Sequence, residues 1–144
     1  MTTTTDIVRA ARGWIGTPYL HQASLKGAGA DCLGLVRGVW REVCGAEPEA
    51  LPPYAPGWAE EGGRETLAAA ARRHLVEIPY TEQRPGDVLL FRWRAHLPAK
   101  HAGIAAPDGY MIHAQEGAAV TEIALNRWWR RHLCLVFRFP GVDD

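Results

Sequence analysis

The sequence predicts an α+β fold in which N-terminal helices pack on an antiparallel sheet. Up to about residue 74, apolar residues recur at helical spacing. After residue 79 they form short runs separated by turn residues, which is typical of strands. Because helices precede strands instead of alternating with them, the order indicates α+β rather than βαβ units. A length of 144 residues favours a single domain over 1–144.

Three helices and one long irregular segment are predicted in the first half. The helices cover residues 5–14, 31–44 and 65–74, and a glycine-rich loop at 16–30 separates the first two. The proline-rich segment at about 46–80 is longer than a compact domain needs, so we expect it to be an insertion.

Five strands are predicted in the second half. The turn sequence "PDG" at 107–109 should join two of them as a hairpin. The first segment, "RPGDVLLFRW" (84–93), is a turn that enters a strand. The other strand segments are "KHAGIAA" (100–106), "GYMIHA" (109–114), "AVTEIAL" (119–125) and "LCLVFRF" (133–139).

The composition excludes several functional classes. Apolar residues make up 47% and the formal net charge is zero, so no overall field attracts nucleic acid or an anionic membrane. The N-terminus lacks a basic start followed by an apolar run, and no stretch is long enough to cross a bilayer. We expect a protein made in the cytoplasm without a signal peptide, with no nucleic-acid partner and no membrane insertion.

The position of Cys32 distinguishes it from the other cysteines. Three cysteines are too few for a disulfide framework, so each thiol is judged by its position. Cys32 begins the second predicted helix, where free N–H groups and the helix dipole should lower the pKa of a thiol. Cys44 lies at the opposite helix end and Cys134 in an apolar strand. The alternative is that Cys32 is a buried, inert thiol, the commoner state of a lone cysteine.

Two histidines could serve this thiol. His101 begins one strand of the predicted hairpin and His113 ends the other, so the two can lie side by side. One imidazole would take the thiol proton while the other fixes its tautomer. Histidines at strand ends are also often solvated or bonded to backbone. A zinc site on Cys32, His101 and His113 is a further alternative, although no CxxC or HExxH spacing supports it.

Five short motifs then give the chain a family resemblance. They are "GTPY" (16–19), "DCLGLV" (31–36), "RPGDVLLF" (84–91), "HAGIA" (101–105) and "MIHA" (111–114). In this order they resemble the NlpC/P60 family of papain-like cysteine peptidases, which cut cell-wall peptides. The resemblance implies the papain-like NlpC/P60 fold, with Cys32 as nucleophile, His101 as general base and His113 as the residue that orients the base. It implies no metal and no cofactor.

The same resemblance assigns three residues to oxyanion or substrate binding. It places the Tyr19 hydroxyl near the nucleophile, where it helps to stabilise the oxyanion. Asp31 and Leu33 flank the nucleophile. Leu33 stands where the family often has a serine that can touch the substrate, so this chain's substrate recognition is expected to differ.

The implied activity is that of a cysteine endopeptidase on peptidoglycan stem peptides, at the D-γ-glutamyl–diaminopimelate bond. "DCLGL" and the missing signal peptide and wall-binding repeats resemble the branch carried by phage tails and gene transfer agents. That branch implies tail or baseplate partners and a place in a virion-like particle. Two alternatives stay open: an amidase or acyltransferase using the same Cys–His site, or a structural tail component. In the latter, "NRWWRRHL" (126–133) would anchor an interface rather than pack over the sheet edge.

Overall fold

A computed structural model describes residues 2–48 and 65–144. Within these ranges there are four α-helices, two short 3-10 helices and eight strands. The α-helices are α1 (Thr4–Arg12), α2 (Cys32–Val43), α3 (Thr66–His74) and α4 (Arg127–His132). The strands are β1 (Ser24–Leu25), β2 (Gly29–Ala30), β3 (Val76–Ile78), β4 (Val88–Phe91), β5 (His101–Ala106), β6 (Tyr110–His113), β7 (Thr121–Ala124) and β8 (Leu133–Arg138).

One antiparallel sheet of six strands organises the chain, in the order β3-β8-β4-β5-β6-β7. Its central strands β4 and β5 are buried on both faces, which explains their continuous apolar sequences. On one face, Val88 and Leu90 of β4 share a core with residues of α1, α2 and α3. On the other face, Leu89 and Phe91 pack in a second core with residues of α4. Strands β1 and β2 form a separate small hairpin.

The first two helices begin at capping residues that the sequence supplies. The Thr3 side chain accepts a hydrogen bond from the N–H of Asp6, and the Asp6 carboxylate accepts one from the N–H of Thr3. Asp31 caps α2 by accepting from the N–H of Gly34 at 2.7 Å. The cap therefore fixes Cys32 as the first residue of α2.

The α+β class and the antiparallel sheet are confirmed, and the predicted helices and strands lie within about two residues of the observed ones. Three features escaped prediction. The β1–β2 hairpin lies inside the predicted loop at 16–30, β3 precedes the predicted strands, and α4 lies at 127–132. Each is six residues or shorter, too short to show a clear periodicity.

The predicted insertion at about 46–80 is described only in part. Its residues 66–78 form α3 and β3, and β3 is the edge strand beside β8. Residues 49–64 lie outside the described ranges, and the single domain with an insertion stays a prediction. Across residues 2–48 and 65–144, no helix combines the length and apolar character needed to span a membrane.

Candidate active site

A cavity of about 400 Å³ opens where the start of α2 meets the start of β5. Its size is that of a pocket for a small ligand. The cavity brings together residues far apart in sequence. They are Tyr19, His21, Asp31, Cys32, Leu33, Leu67, Trp93, Lys100, His101, Ala114, Gln115, Glu116 and Trp128. The predicted nucleophile and the predicted base therefore line the same cavity.

Cys32 lies at the N-terminal end of α2, with its thiol against the start of β5. The backbone N–H of Ala102, the residue after His101, hydrogen-bonds the thiol, and the N–H groups of Leu33 and Cys32 itself also favour the thiolate. The N–H groups of Cys32 and Leu33 are free donors of the α2 N-terminus, whereas that of Ala102 comes from β5. The thiol of Cys32 thus lies next to the strand that carries the base.

The pKa prediction for Cys32 is wrong in its net direction. Burial, together with the negative charge of Asp31, raises the pKa of the thiol to about 11, even though the three N–H groups act to lower it. Loss of solvation outweighs the helix end because a thiolate in an apolar surrounding lacks its water shell. The resting site therefore holds a neutral thiol, and attack requires a base.

His101 and His113 bond directly to each other. Nε2 of His101 lies 2.8 Å from Nδ1 of His113, and both side chains are buried. Ile104 pairs with Ile112, so Gly103 lies opposite His113 and His101 is its diagonal neighbour. A Cβ on Gly103 would lie 2.8 Å from Sδ of Met111 and 3.4 Å from Cβ of His113, so glycine keeps this space clear.

The same burial keeps both imidazoles neutral. It lowers the pKa of His101 to about 3, with the positive charges of His113 and Lys100 adding to the effect, and the pKa of His113 to about 4. Because both rings are neutral, one of them must donate its N–H to the other in the hydrogen bond that joins them. If His101 donates from Nε2, its Nδ1 keeps a lone pair for the thiol proton, which is the tautomer a base requires.

An aromatic enclosure surrounds the histidine pair. Trp129 is buried, and its ring centroid lies 5.5 Å from that of His101 and 5.2 Å from that of His113. Trp93 stacks on His101 at 5.6 Å. Trp129 therefore packs over the sheet, as one of the two sequence interpretations expected. Trp93 escaped prediction, although its two-residue spacing from Phe91, which also packs on His101, was a usable signal.

The three predicted binding residues lie at the cavity but differ in exposure. Burial and the nearby charges of Cys32 and Asp31 raise the pKa of Tyr19 to about 12, so its hydroxyl stays protonated and can donate. Asp31 is buried, and its two oxygens accept from the N–H groups of Gly34 and Gln22 at 2.7 and 2.8 Å. This geometry supports a positioning role for Asp31; its predicted substrate contact stays a prediction. Leu33 lines the cavity beside Cys32.

The zinc arrangement considered from the sequence is not found in the part of the chain that the structure describes. There, no group of three or more His, Cys, Asp or Glu side chains is placed to hold a metal ion. Nε2 of His101 and Nδ1 of His113 are occupied by their mutual hydrogen bond.

The buried histidine pair predicts acid-sensitive stability. The pKa values of His101 and His113 lie below the ordinary 6.5, so between about pH 6.5 and 4 the unfolded chain binds protons that the folded chain does not. The free energy of unfolding should therefore fall as the pH falls, by about 2 kcal/mol per histidine between pH 7 and 5. Urea unfolding at pH 7, 6 and 5 measures this. His113→Asn should remove about half of the fall in the free energy of unfolding between pH 7 and 5. A free energy of unfolding that stays constant from pH 7 to 5 in the wild type would contradict this prediction.

The NlpC/P60 family model matches residues 16–138. This range includes every predicted site residue. Among solved structures, the chain is similar to the NlpC/p60 domain of the peptidoglycan hydrolase SagA, with a TM-score of 0.66 and 22% identity over 96% of this chain and 100% of that chain. An NlpC/P60 family protein from Bacillus cereus gives a TM-score of 0.67 with 20% identity, over 95% of this chain and 40% of that one. These two likenesses show the fold.

Relatives with assigned names are larger proteins. A gamma-DL-glutamyl hydrolase of Bacillus subtilis is 29% identical over 137 residues, which cover 94% of this chain and 29% of the relative. A protein of Mycobacterium bovis named "Probable endopeptidase" is 31% identical over 110 residues, or 76% of this chain and 23% of the relative. The chain thus spans less than a third of the length of these relatives.

Proposed function

Since the chain belongs to the NlpC/P60 family, we propose that it is a cysteine peptidase that hydrolyses peptidoglycan stem peptides. The observation that carries this proposal is the shared cavity of Cys32 and His101, with His101 bonded to His113 at 2.8 Å. A nucleophile, a base and a residue that orients the base are the parts that covalent acyl transfer requires.

In the first half-reaction, Sγ of Cys32 attacks the carbonyl carbon of the scissile bond. The thiol proton passes to Nδ1 of His101 while Nε2 keeps its bond to His113. The carbonyl oxygen becomes an oxyanion, for which the N–H of Cys32 and the protonated hydroxyl of Tyr19 are the proposed donors. The C–N bond then breaks, His101 gives its proton to the leaving amine, and the acyl group remains on Cys32 as a thioester.

In the second half-reaction, water enters the position of the amine. His101 takes a proton from the water as its oxygen attacks the thioester carbon, and the second oxyanion uses the same donors. The C–S bond breaks, Cys32 recovers its proton from His101, and the product leaves as a carboxylic acid that loses its proton to solvent. The neutral thiol and imidazole of the resting site are restored at the end of the cycle.

We propose the D-γ-glutamyl–diaminopimelate bond as the one cleaved, which the family resemblance of the motifs supports. The test uses two synthetic peptides that differ only in linking diaminopimelate to the γ- or the α-carboxylate of D-glutamate. Mass spectrometry should find cleavage of the γ-linked peptide after D-glutamate and at least tenfold slower cleavage of the other. Equal cleavage of both would overturn the bond assignment, and cleavage of the L-alanyl bond instead would do the same.

The same experiment separates the other chemistries of a Cys–His site. With glycine amide added as acceptor, an acyltransferase forms the amide of the released acyl group, whereas a peptidase forms mainly the free carboxylate. An amidase would leave the γ-glutamyl bond of both peptides intact and would release the stem peptide only from a substrate that carries the sugar. The peptidase assignment requires the carboxylate product.

We further propose that the protein is carried on a phage-tail or gene-transfer-agent particle, where it opens the recipient's wall. The motif "DCLGL" at 31–35, which resembles that branch, supports this. In an assembled particle, tail or baseplate proteins would be its neighbours. Mass spectrometry of particles purified from a producing strain should find the chain in stoichiometric amount, and its absence from intact particles would overturn the assignment. A structural component alone would leave wall digestion unchanged in particles carrying Cys32→Ala.

A further inference from the structure

The outer surface of α4 carries three arginines that the mechanism above does not use. Arg127, Arg130 and Arg131 are all exposed, whereas Trp129 of the same helix is buried. At 3.6 residues per turn, Arg127 and Arg131 lie one turn apart and almost opposite Trp129, with Arg130 on one flank. The three arginines therefore share one solvent-exposed surface, which we call the basic face.

Positive charge is concentrated around the basic face. The backbone N–H of Arg92 donates to the backbone oxygen of His132, so the loop that follows β4 runs beside α4. The two segments that meet here, 92–100 and 126–133, hold six of the chain's 16 Lys and Arg residues and none of its 16 Asp and Glu residues. The rest of the chain has ten cations against 16 anions, so the net charge of zero comes from two regions of opposite sign.

No acidic side chain compensates the basic face within residues 2–48 and 65–144, where no salt bridge reaches any of its three guanidinium groups. Arg127 instead has Arg130 and Arg131 at positions i+3 and i+4, where like charges repel one another on a helix. An anionic ligand would remove this repulsion. A guanidinium group can donate two parallel hydrogen bonds to a carboxylate, so a ligand with carboxylates fits this face.

The basic face borders the catalytic cavity. Trp128, on the flank of α4 opposite Arg130, is 48% exposed and lines the cavity together with Cys32 and His101. The Trp128 ring is held in place by stacking on His132 at a centroid distance of 4.0 Å. Trp128 is therefore the boundary between the cavity and the basic face, and a polymer that occupies the cavity can extend over α4.

Peptidoglycan with γ-linked D-glutamate is an anionic polymer of this kind. Linkage through the γ-carboxyl group leaves the α-carboxylate of each D-glutamate free, and a linear stem peptide uses only one of the two carboxyl groups of diaminopimelate. We propose that the basic face binds carboxylates of stem peptides next to the one being cut and so holds the enzyme on polymeric peptidoglycan. The inference rests on the proposed function and extends it to polymer outside the cavity.

The test compares two double variants that remove the same charge. Arg127→Gln with Arg131→Gln changes the basic face, whereas Arg9→Gln with Arg72→Gln removes two exposed arginines from α1 and α3, across the sheet from α4. Both pairs are made in Cys32→Ala, so that the polymer stays intact during the measurement. Sedimentation measures their binding to insoluble diaminopimelate-type peptidoglycan from which all other wall polymers have been removed.

At low ionic strength, the basic-face variant should bind at least about tenfold more weakly than Cys32→Ala, and the control pair should bind as Cys32→Ala does. The difference should vanish at about 1 M salt, where the Debye length is about 3 Å. Conversion of the polymer's carboxylates to amides should weaken binding of Cys32→Ala by a similar factor. Equal binding of the two pairs, or undiminished binding to the amidated polymer, would overturn the inference. Tighter binding of a DNA duplex than of peptidoglycan by this face would do the same.

Cleavage assays with Cys32 restored separate this inference from the proposed function. The basic-face variant should lose at least about tenfold more activity on insoluble peptidoglycan than on the short γ-linked peptide, which does not extend beyond one stem. Equal losses on the two substrates would locate the defect in the catalytic site and overturn the role of the face. No cleavage of the short peptide by the wild type would overturn the proposed function, whereas the sedimentation result decides the role of the face without any cleavage.

Discussion

His101→Ala is expected to lower kcat/KM at pH 7 by about 10³- to 10⁴-fold. The thiol of Cys32 has a pKa of about 11, so at pH 7 only about one molecule in 10,000 holds a thiolate without help. The base removes this penalty by accepting the proton during attack. Without it, activity should rise about tenfold per pH unit between pH 7 and 10 as the thiolate fraction grows.

A substitution of His113, whose ring is hydrogen-bonded to His101, is the control for this prediction. His113→Asn keeps a hydrogen-bonding group beside Nε2 of His101, so the loss should be smaller, about 10- to 100-fold, with a pH profile like that of the wild type. Steady-state kinetics on the γ-linked peptide between pH 6 and 10 measures both variants. Retention of more than a tenth of the activity by His101→Ala at pH 7 would remove His101 from the role of base.

Gly34→Ala is expected to lower the free energy of unfolding by about 3 kcal/mol, at the upper end of overpacking costs. A Cβ at this position would overlap the backbone oxygen of Ala23. The Ser24 hydroxyl also bonds the Gly34 oxygen at 2.6 Å, so hairpin and helix cannot separate without losing hydrogen bonds. Since Cys32 lies two residues away, activity should fall as well.

Gly13→Ala is the matched control because the nearest atom to its new Cβ is the tip of the flexible Lys26 side chain, at 2.7 Å. Moving that tip costs little, and we expect a change below about 1 kcal/mol. Urea unfolding of both variants gives the comparison. Similar stability of Gly34→Ala and the wild type would show that the backbones of the hairpin and α2 can separate at low cost.

Much of the site could be predicted because its parts lie at sequence positions with local signals. Asp31 is a strong N-cap residue before an apolar stripe, which placed Cys32 at a helix start. His101 and His113 lie on strands joined by a "PDG" turn, where Asp108 and Gly109 have positive φ. That short connection fixed the two strands as neighbours and so brought the rings together.

The electrostatics and the aromatic enclosure could not be predicted in this way. The thiol pKa depends on burial between α2 and β5, elements about 70 residues apart in sequence. The local sequence indicates only the helix end, which lowers the thiol pKa. It does not indicate the desolvation by β5, which raises the thiol pKa by more. Likewise α4, which brings Trp129 to the histidine pair, spans only six residues and carries no clear periodicity of its own.

Digestion of purified diaminopimelate-type peptidoglycan by the wild type and by Cys32→Ala tests the central claim most directly. Soluble products are identified by mass spectrometry, with circular dichroism to show that both proteins are folded and thiol titration to show that Cys32 of the wild type is reduced. The account predicts fragments cut after D-glutamate from the wild type and a loss of at least about 10³-fold in the variant. Equal release of fragments by the two proteins, or none by the folded and reduced wild type, would contradict it.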